Sequence, residues 1–270
     1  MIEKFLEGKG ALITGGASGF GRDVAYAFAE RGADLVLIDI NEELLEKTSK
    51  KVEQKTGQKV FPIICNVSDA MSVKKMTEQA FNELDNVFIL FNNAGIATSI
   101  GVDILHFGEK AWDETMNVNL KGQWLIDKFI CRKMKKQKFE PIRGKVIHNA
   151  SHVGIVPSPF FPAYSISKAG IITLNKLIAM SLAPFITSNA IAPGYFLTGF
   201  FQYREDILKQ VMEHGNCKTP LNRIGSVDEV VDLVIFLASN KSDFITGHCF
   251  PVDGGITEVG VPANKLDVNI

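Results

Sequence analysis

Tyr164 and Lys168 stand four residues apart in Tyr164-Ser165-Ile166-Ser167-Lys168, and Ser151 lies thirteen residues upstream. On a helix that spacing puts the phenol and the ammonium on one side. A free phenol loses its proton near pH ~10. A cation beside it favours the phenolate and lowers that value. Such a pair can give a proton to a forming alkoxide or take one from an alcohol. A serine hydroxyl within reach can hydrogen-bond the same oxygen and stabilise its developing charge. Tyr164 is thus the candidate acid and base, Lys168 the tuning cation and Ser151 the oxygen-binding group.

A second cluster opens the chain, Thr14-Gly15-Gly16-Ala17-Ser18-Gly19-Phe20-Gly21. Glycines in a strand-to-helix turn let the backbone approach a pyrophosphate, and the helix N-terminus offers free N–H groups and a positive dipole end. Gly15, Ser18, Gly19, Phe20 and Gly21 are the candidate contacts. Asp39 stands eighteen residues after Gly21, at the end of the next apolar run. A carboxylate there can accept both ribose hydroxyls of adenosine and repels a 2′-phosphate, so NAD is expected rather than NADP. No basic residue occupies position 17 or follows Asp39 directly, and Arg22 is the one nearby cation. The two clusters together predict hydride transfer between a nicotinamide coenzyme and an alcohol/carbonyl pair.

The elements that position these groups follow from the alternation of apolar runs and amphipathic stretches. Strands are expected at Gly10–Thr14, Asp34–Asp39, Val60–Ile64, Val87–Phe91, Lys145–Asn149, Ser188–Ala192 and His248–Val252. Helices are expected at Gly19–Arg31, from Asn41 as N-cap, from Asp69 to about Phe81, from Asn117 to Met134, from Tyr164 to Leu182 and at Val227–Ala238. Nearly continuous apolar strands suit a parallel sheet covered on both faces. The order predicts an α/β, Rossmann-type doubly wound sheet of about seven strands. No linker or composition shift divides the 270 residues, so one domain is expected over 1–270.

The formal net charge of -1 gives no global field for nucleic acid. The one dense basic run, Arg132 to Lys138, reads as a solvated helix end. The N-terminus is too charged for a signal peptide, and Asn175, Lys176 and Pro184 interrupt the longest apolar stretch. A cytoplasmic protein without membrane or nucleic-acid partners is expected. The four cysteines lie apart and form no CxxC pair, so free thiols are expected and no metal site.

With these motifs in hand the chain resembles a short-chain dehydrogenase/reductase from Lys9 to about Thr257. Further pieces stand in that family's order: Asn92-Asn93-Ala94-Gly95, Asn119-Leu120-Lys121-Gly122, Pro193-Gly194-Tyr195-Phe196-Leu197-Thr198 and Asp253-Gly254-Gly255. The resemblance implies that Lys168 also holds the nicotinamide ribose and that Asn119 anchors a water relaying protons to Lys168. It implies adenosine-side contacts from Asn66, Val67, Asn93 and Gly95, and nicotinamide-side contacts from Phe196 and Thr198. Asn66 departs from the family's usual aspartate, and Ala150 takes a place often held by a second serine. Dimers or tetramers are common in the family, so a homo-oligomer is expected.

Two aromatic segments flank the proposed chemistry, Pro157 to Phe161 and Tyr195 to Tyr203. The second lies where the family carries a lid, expected here at about 195–220. His152, Phe161, Tyr195 and Phe200 are the candidate substrate contacts, which suggests an apolar, aromatic or acyl-thioester substrate; equally, the rings could pack the lid or a subunit interface. His148 reads as a strand-core residue. A Ser/His hydrolase would need GxSxG around Ser151, which is absent. The rival readings are an NADP-dependent 3-oxoacyl thioester reductase, a dinucleotide-binding sensor or scaffold without catalysis, and a sugar-nucleotide epimerase, whose chain is usually longer.

Overall fold

The computed structural model describes residues 2–197 and 219–260. Seven parallel strands form one sheet: β1 (Gly10–Thr14), β2 (Asp34–Asp39), β3 (Val60–Ile64), β4 (Ile89–Asn92), β5 (Gly144–Asn149), β6 (Ile186–Pro193) and β7 (Cys249–Val252). Their spatial order is β3-β2-β1-β4-β5-β6-β7. The helices are α1 (Gly19–Glu30), α2 (Glu42–Thr56), α3 (Ala70–Glu83), α4 (Glu109–Met116), α5 (Gly122–Met134), α6 (Pro162–Leu182) and α7 (Val227–Ala238). This is the expected doubly wound architecture.

Alternate residues of each strand feed two cores, because successive side chains point to opposite faces. Ala11, Ile13, Leu35 and Leu37 pack with Val24 and Phe28 of α1, Leu45 of α2 and Val230 and Val234 of α7. Leu12, Val36, Ile38 and Leu90 pack with Val73 and Met76 of α3, Ile126 and Ile130 of α5 and Leu182 of α6. Both faces are therefore dry, which explains the unbroken apolar runs.

The helix starts follow local chemistry. Asn41 caps α2, its Oδ1 accepting from Leu44 N at 3.0 Å. Asp69 caps α3 by accepting from Ser72 N at 2.8 Å. The direction of winding reverses between β1 and β4, whose registers pair Leu12 with Val36 on one side and Leu90 on the other. A crevice opens at such a switch point, at the carboxyl ends of the strands.

Four elements start two or more residues from where they are expected. The fourth strand is Ile89–Asn92 rather than Val87–Phe91, because the side chain of Gln137 engages both the N–H and the C=O of Val87. The sixth runs from Ile186 to Pro193; Thr187, Ser188 and Asn189 are buried despite their polarity. The helix expected from Asn117 starts earlier, as α4, and passes through a π turn at Asn117–Lys121 into α5. Helix α4 has only Ala111, Trp112 and Met116 as apolar positions, too few for a visible stripe. Helix α6 begins at Pro162, a residue suited to a first turn. Among the described residues no helix is long and apolar enough to cross a membrane.

Candidate active site

The glycine turn joins β1 to α1 beneath the crevice. Gly15 has φ +66°, and a Cβ on Gly21 would lie 2.0 Å from Gly15 O, so only hydrogen fits between turn and helix. Ser18 is the N-cap of α1, yet its hydroxyl makes no capping bond. That hydroxyl and the first N–H groups of α1 remain available to an anion. Asp39 ends β2 beside them. Its Oδ2 accepts from Ala17 N at 3.2 Å, and its Oδ1 accepts from Ile40 N at 2.8 Å and Asn41 N at 3.1 Å. Three N–H donors thus orient a carboxylate whose remaining lone pairs face the crevice. Arg22 is bound by its neighbour Asp23 through two hydrogen bonds of 2.8 and 3.1 Å.

On the other side of the crevice, β5 delivers Ser151 and α6 delivers Tyr164 and Lys168. Ser151 hydrogen-bonds Tyr164, side chain to side chain. Lys168 Nζ lies 5.3 Å from the centre of the Tyr164 ring and donates to Asn149 O at 2.6 Å. The expected lowering of the Tyr164 pKa is not what the structure shows. Burial pushes the phenol up to about 12, against the downward pull of the Ser151 bond. Burial likewise brings Lys168 down to about 7. Both shifts are desolvation of the charged form, and the lysine's proximity does not offset it.

Both halves line one cleft of about 320 Å³. Gly15, Ser18, Gly19, Phe20, Asp39, Asn93 and Gly95 form the turn-side wall, and Ser151, Tyr164 and Lys168 the opposite one. His152, Phe161, Tyr195 and Phe196 complete its mouth.

A family model described as "Enoyl-(Acyl carrier protein) reductase" matches residues 15–257. The chain belongs to the short-chain dehydrogenase/reductase family. As such it is an oxidoreductase that uses a nicotinamide dinucleotide. The 3-oxoacyl-[acyl-carrier-protein] reductase FabG of Thermotoga maritima is 36% identical over 252 residues, 93% of this chain and 98% of the relative. The 2-dehydro-3-deoxy-D-gluconate 5-dehydrogenase of Dickeya dadantii is 34% identical over 254 residues, covering 93% and 96%. The crystal structure of NAD+-bound xylitol dehydrogenase superposes with a TM-score of 0.85 at 29% identity, covering 94% of this chain and 100% of that one.

Gly21, Asn66, Val67 and Asn119, also expected to serve a short-chain dehydrogenase/reductase site, are placed outside the cleft wall. Gly21 sits behind the turn it allows to close. Asn66 is exposed, and its Oδ1 accepts from both the N–H and the hydroxyl of Ser68. Val67 is buried against Gly122. Asn119 sits in the π turn, fully buried, and its amide is spent on Ile96 N, Ile96 O and Ser167 Oγ at 2.8 to 3.0 Å. Its side chain therefore pins the segment after Gly95. Asn93 lines the cleft, but its Nδ2 donates to Thr14 O and Gly15 O and its Oδ1 accepts from Asn149. Thr198, Phe200 and most of the expected lid lie outside the described residues.

Behind Lys168 lies a buried polar group whose link to the site was not anticipated. Gln123 Nε2 donates to Asn149 O at 3.5 Å, and Gln123 Oε1 pairs with His148 Nδ1 at 3.0 Å. His148 Nε2 lies 3.7 Å from Asp127 Oδ2, and both residues are fully enclosed. Burial lowers His148 to about 3, with the charge of Lys168 adding to the effect, and raises the Asp127 carboxyl well above its usual range. The signal available beforehand was a histidine and an asparagine after the apolar pair Val146-Ile147 in β5; the Asn149 group that meets Lys168 is a backbone carbonyl, which sequence does not display.

Proposed function

We propose that this protein is an NAD(H)-dependent oxidoreductase interconverting a secondary alcohol and a ketone. The observation that carries this is the Ser151–Tyr164 hydrogen bond beside Lys168, in the same cleft as a glycine turn flanked by Asp39. The turn fits a dinucleotide: a Cβ at Gly21 would close it, and the Ser18 hydroxyl is uncommitted to the helix. Gly15, Ser18 and the α1 N-terminus would hold the pyrophosphate, Asp39 the adenosine ribose, and Lys168 the nicotinamide ribose. When bound, the coenzyme exchanges hydride with the substrate carbon.

Tyr164 handles the accompanying proton. In reduction its neutral phenol gives the proton to the oxygen as the carbonyl gains hydride, and Ser151 stabilises the charge on that oxygen. In oxidation the alcohol loses hydride from carbon and its O–H proton to the Tyr164 oxygen. Bringing a phenol from about 12 to neutrality takes about 7 kcal/mol of preference for the phenolate. Lys168, with Nζ 5.3 Å from the centre of the Tyr164 ring, is the cation that contributes to this preference. The raised phenol pKa suits Tyr164 to the acid role, and higher pH favours its role as base in oxidation.

The relatives support both a thioester-reducing and a sugar-acid-oxidising chemistry, so an NADP-dependent 3-oxoacyl thioester reductase is the second reading. Two observations favour NAD: the oriented Asp39 carboxylate and the pairing of Arg22 with Asp23, which removes the nearest cation from a 2′-phosphate. The NAD+-bound xylitol dehydrogenase structure is consistent with this coenzyme. Fluorescence titration with NADH and NADPH tests it. NADH should bind at least tenfold more tightly, and Asp39→Ala should shrink the difference; a marked NADPH preference refutes the role of Asp39. Small-molecule substrates are common to the family, and we extend to this chain its habit of forming dimers or tetramers.

A further inference from the structure

His152 follows Ser151 directly and opens the short turn His152–Gly154, so its backbone is positioned with that of Ser151. His152 Nδ1 lies 3.1 Å from Pro193 O. A carbonyl only accepts, so Nδ1 carries the proton. Burial lowers the His152 pKa, outweighing the raising effects of the Pro193 bond and the Asp253 charge. The ring is therefore neutral at pH 7, and Nε2 holds a lone pair. Among the described residues nothing donates to Nε2, and Nε2 is not one of the sealed buried atoms that lack partners. The residue stands in the cleft wall beside Ser151 and Tyr164.

The wall next to the reacting oxygen thus offers a group that can only accept. We infer that His152 selects substrates carrying a hydroxyl on the carbon next to the reacting one: vicinal diols and polyols, and the corresponding hydroxyketones. The inference rests on the alcohol/ketone reading above and narrows it. A hydroxyl there donates to Nε2 while the reacting oxygen is held by Ser151 and Tyr164. Tyr195, 5.2 Å from the His152 ring between centroids, and Phe161, 6.1 Å from the Tyr164 ring, supply flat faces for the C–H groups of such a chain. A 3-oxoacyl thioester has methylenes beside its ketone and a second carbonyl beyond. It presents acceptors only and leaves Nε2 without a donor in a dehydrated site, a mismatch that sites of this kind reject strongly.

The test compares 2,3-butanediol, 2-butanol and an acetoacetyl thioester in the full-length enzyme, as ratios of kcat/KM with NAD(H). The wild type should favour the diol over 2-butanol by tenfold or more. His152→Phe, which keeps a ring but removes the acceptor, should lower that ratio about tenfold; His152→Gln, which restores an acceptor, should recover part of it. Ratios cancel any general loss of activity. Ligand-observed NMR on Tyr164→Phe measures binding of the two alcohols without turnover and should show the same order, again lost with His152→Phe. Equal ratios in wild type and His152→Phe, or a preference for 2-butanol or the thioester, overturn the inference. If no alcohol reduces NAD+, the alcohol/ketone reading fails, and the NMR order still decides the role of His152.

Discussion

Gly154 holds the Ser151 turn against the helix that carries Tyr164 and Lys168. A Cβ at that position would meet Lys168 C at 2.6 Å, Ala169 N at 2.8 Å and Lys168 O at 2.9 Å. All three are backbone atoms in the middle of α6 and cannot rotate aside. Gly154→Ala must therefore widen a 2.6 Å gap toward the 3.4 Å of ordinary contact, a displacement of about 0.8 Å. Gly154 N donates to Ser151 O at 2.9 Å, so the turn moves with Ser151. Misplacing a reacting group by about 1 Å can cost on the order of 10²-fold in rate. We expect kcat to fall roughly 10²-fold and stability by about 1–3 kcal/mol, the usual cost of overpacking. Coenzyme affinity should fall by less than about tenfold, because the pyrophosphate and adenosine contacts are on the opposite wall and only Lys168, on the nicotinamide side, borders the clash. Initial rates at saturating coenzyme, NADH titration and guanidinium unfolding read the three quantities. A folded variant with kcat within about twofold of wild type would refute the idea that this contact sets the Ser151–Tyr164 geometry.

Two further outcomes follow from the interior. His148 is neutral in the fold with its pKa lowered to about 3, whereas an unfolded histidine titrates near ~6.5. The unfolded state then binds more protons as pH falls from ~6.5 toward 3, so stability present above ~6.5 is lost across that window, about 2 kcal/mol of it by pH 5. Urea unfolding at pH 7 and pH 5 should show that extra loss in wild type relative to His148→Gln. Asp127, whose carboxyl burial raises well above its usual range, contributes the opposite slope in both proteins and largely cancels; identical slopes would contradict a neutral buried His148. Gly21→Ala would drive a Cβ to 2.0 Å from Gly15 O, so NADH should bind at least tenfold more weakly by fluorescence titration while circular dichroism stays native. Unchanged affinity would show that the turn does not hold the coenzyme.

The parts of the fold that were legible are those in which burial and composition coincide. Apolar runs such as Leu35-Val36-Leu37-Ile38 are buried on both faces and announce their strand. The ends of β6 were not legible: Ile186, Thr187 and Pro193 extend the expected Ser188–Ala192, and polar Thr187 is buried like the residues after it. Helix α4 was hidden by its mostly polar surface. In the site, the spacing of Ser151, Tyr164 and Lys168 was enough to bring them together, since a helix and a strand end fix it. The direction of the Tyr164 pKa was not legible. It depends on how completely the surrounding chain excludes water, which no local spacing records. The resemblance singled out Asn93 and Asn119; what it did not display is that their amides tie Gly15 and Ile96 in place.

The most direct measurement is hydride transfer by Tyr164→Phe. NADH absorbance is followed in single turnovers with a secondary alcohol that the wild type oxidises, together with NAD+ affinity. Removing only the phenolic oxygen should leave NAD+ binding within about threefold and slow hydride transfer by a factor of at least about 10³. Transfer within about tenfold of wild type in a folded, coenzyme-binding variant would contradict Tyr164 as the group that moves the proton.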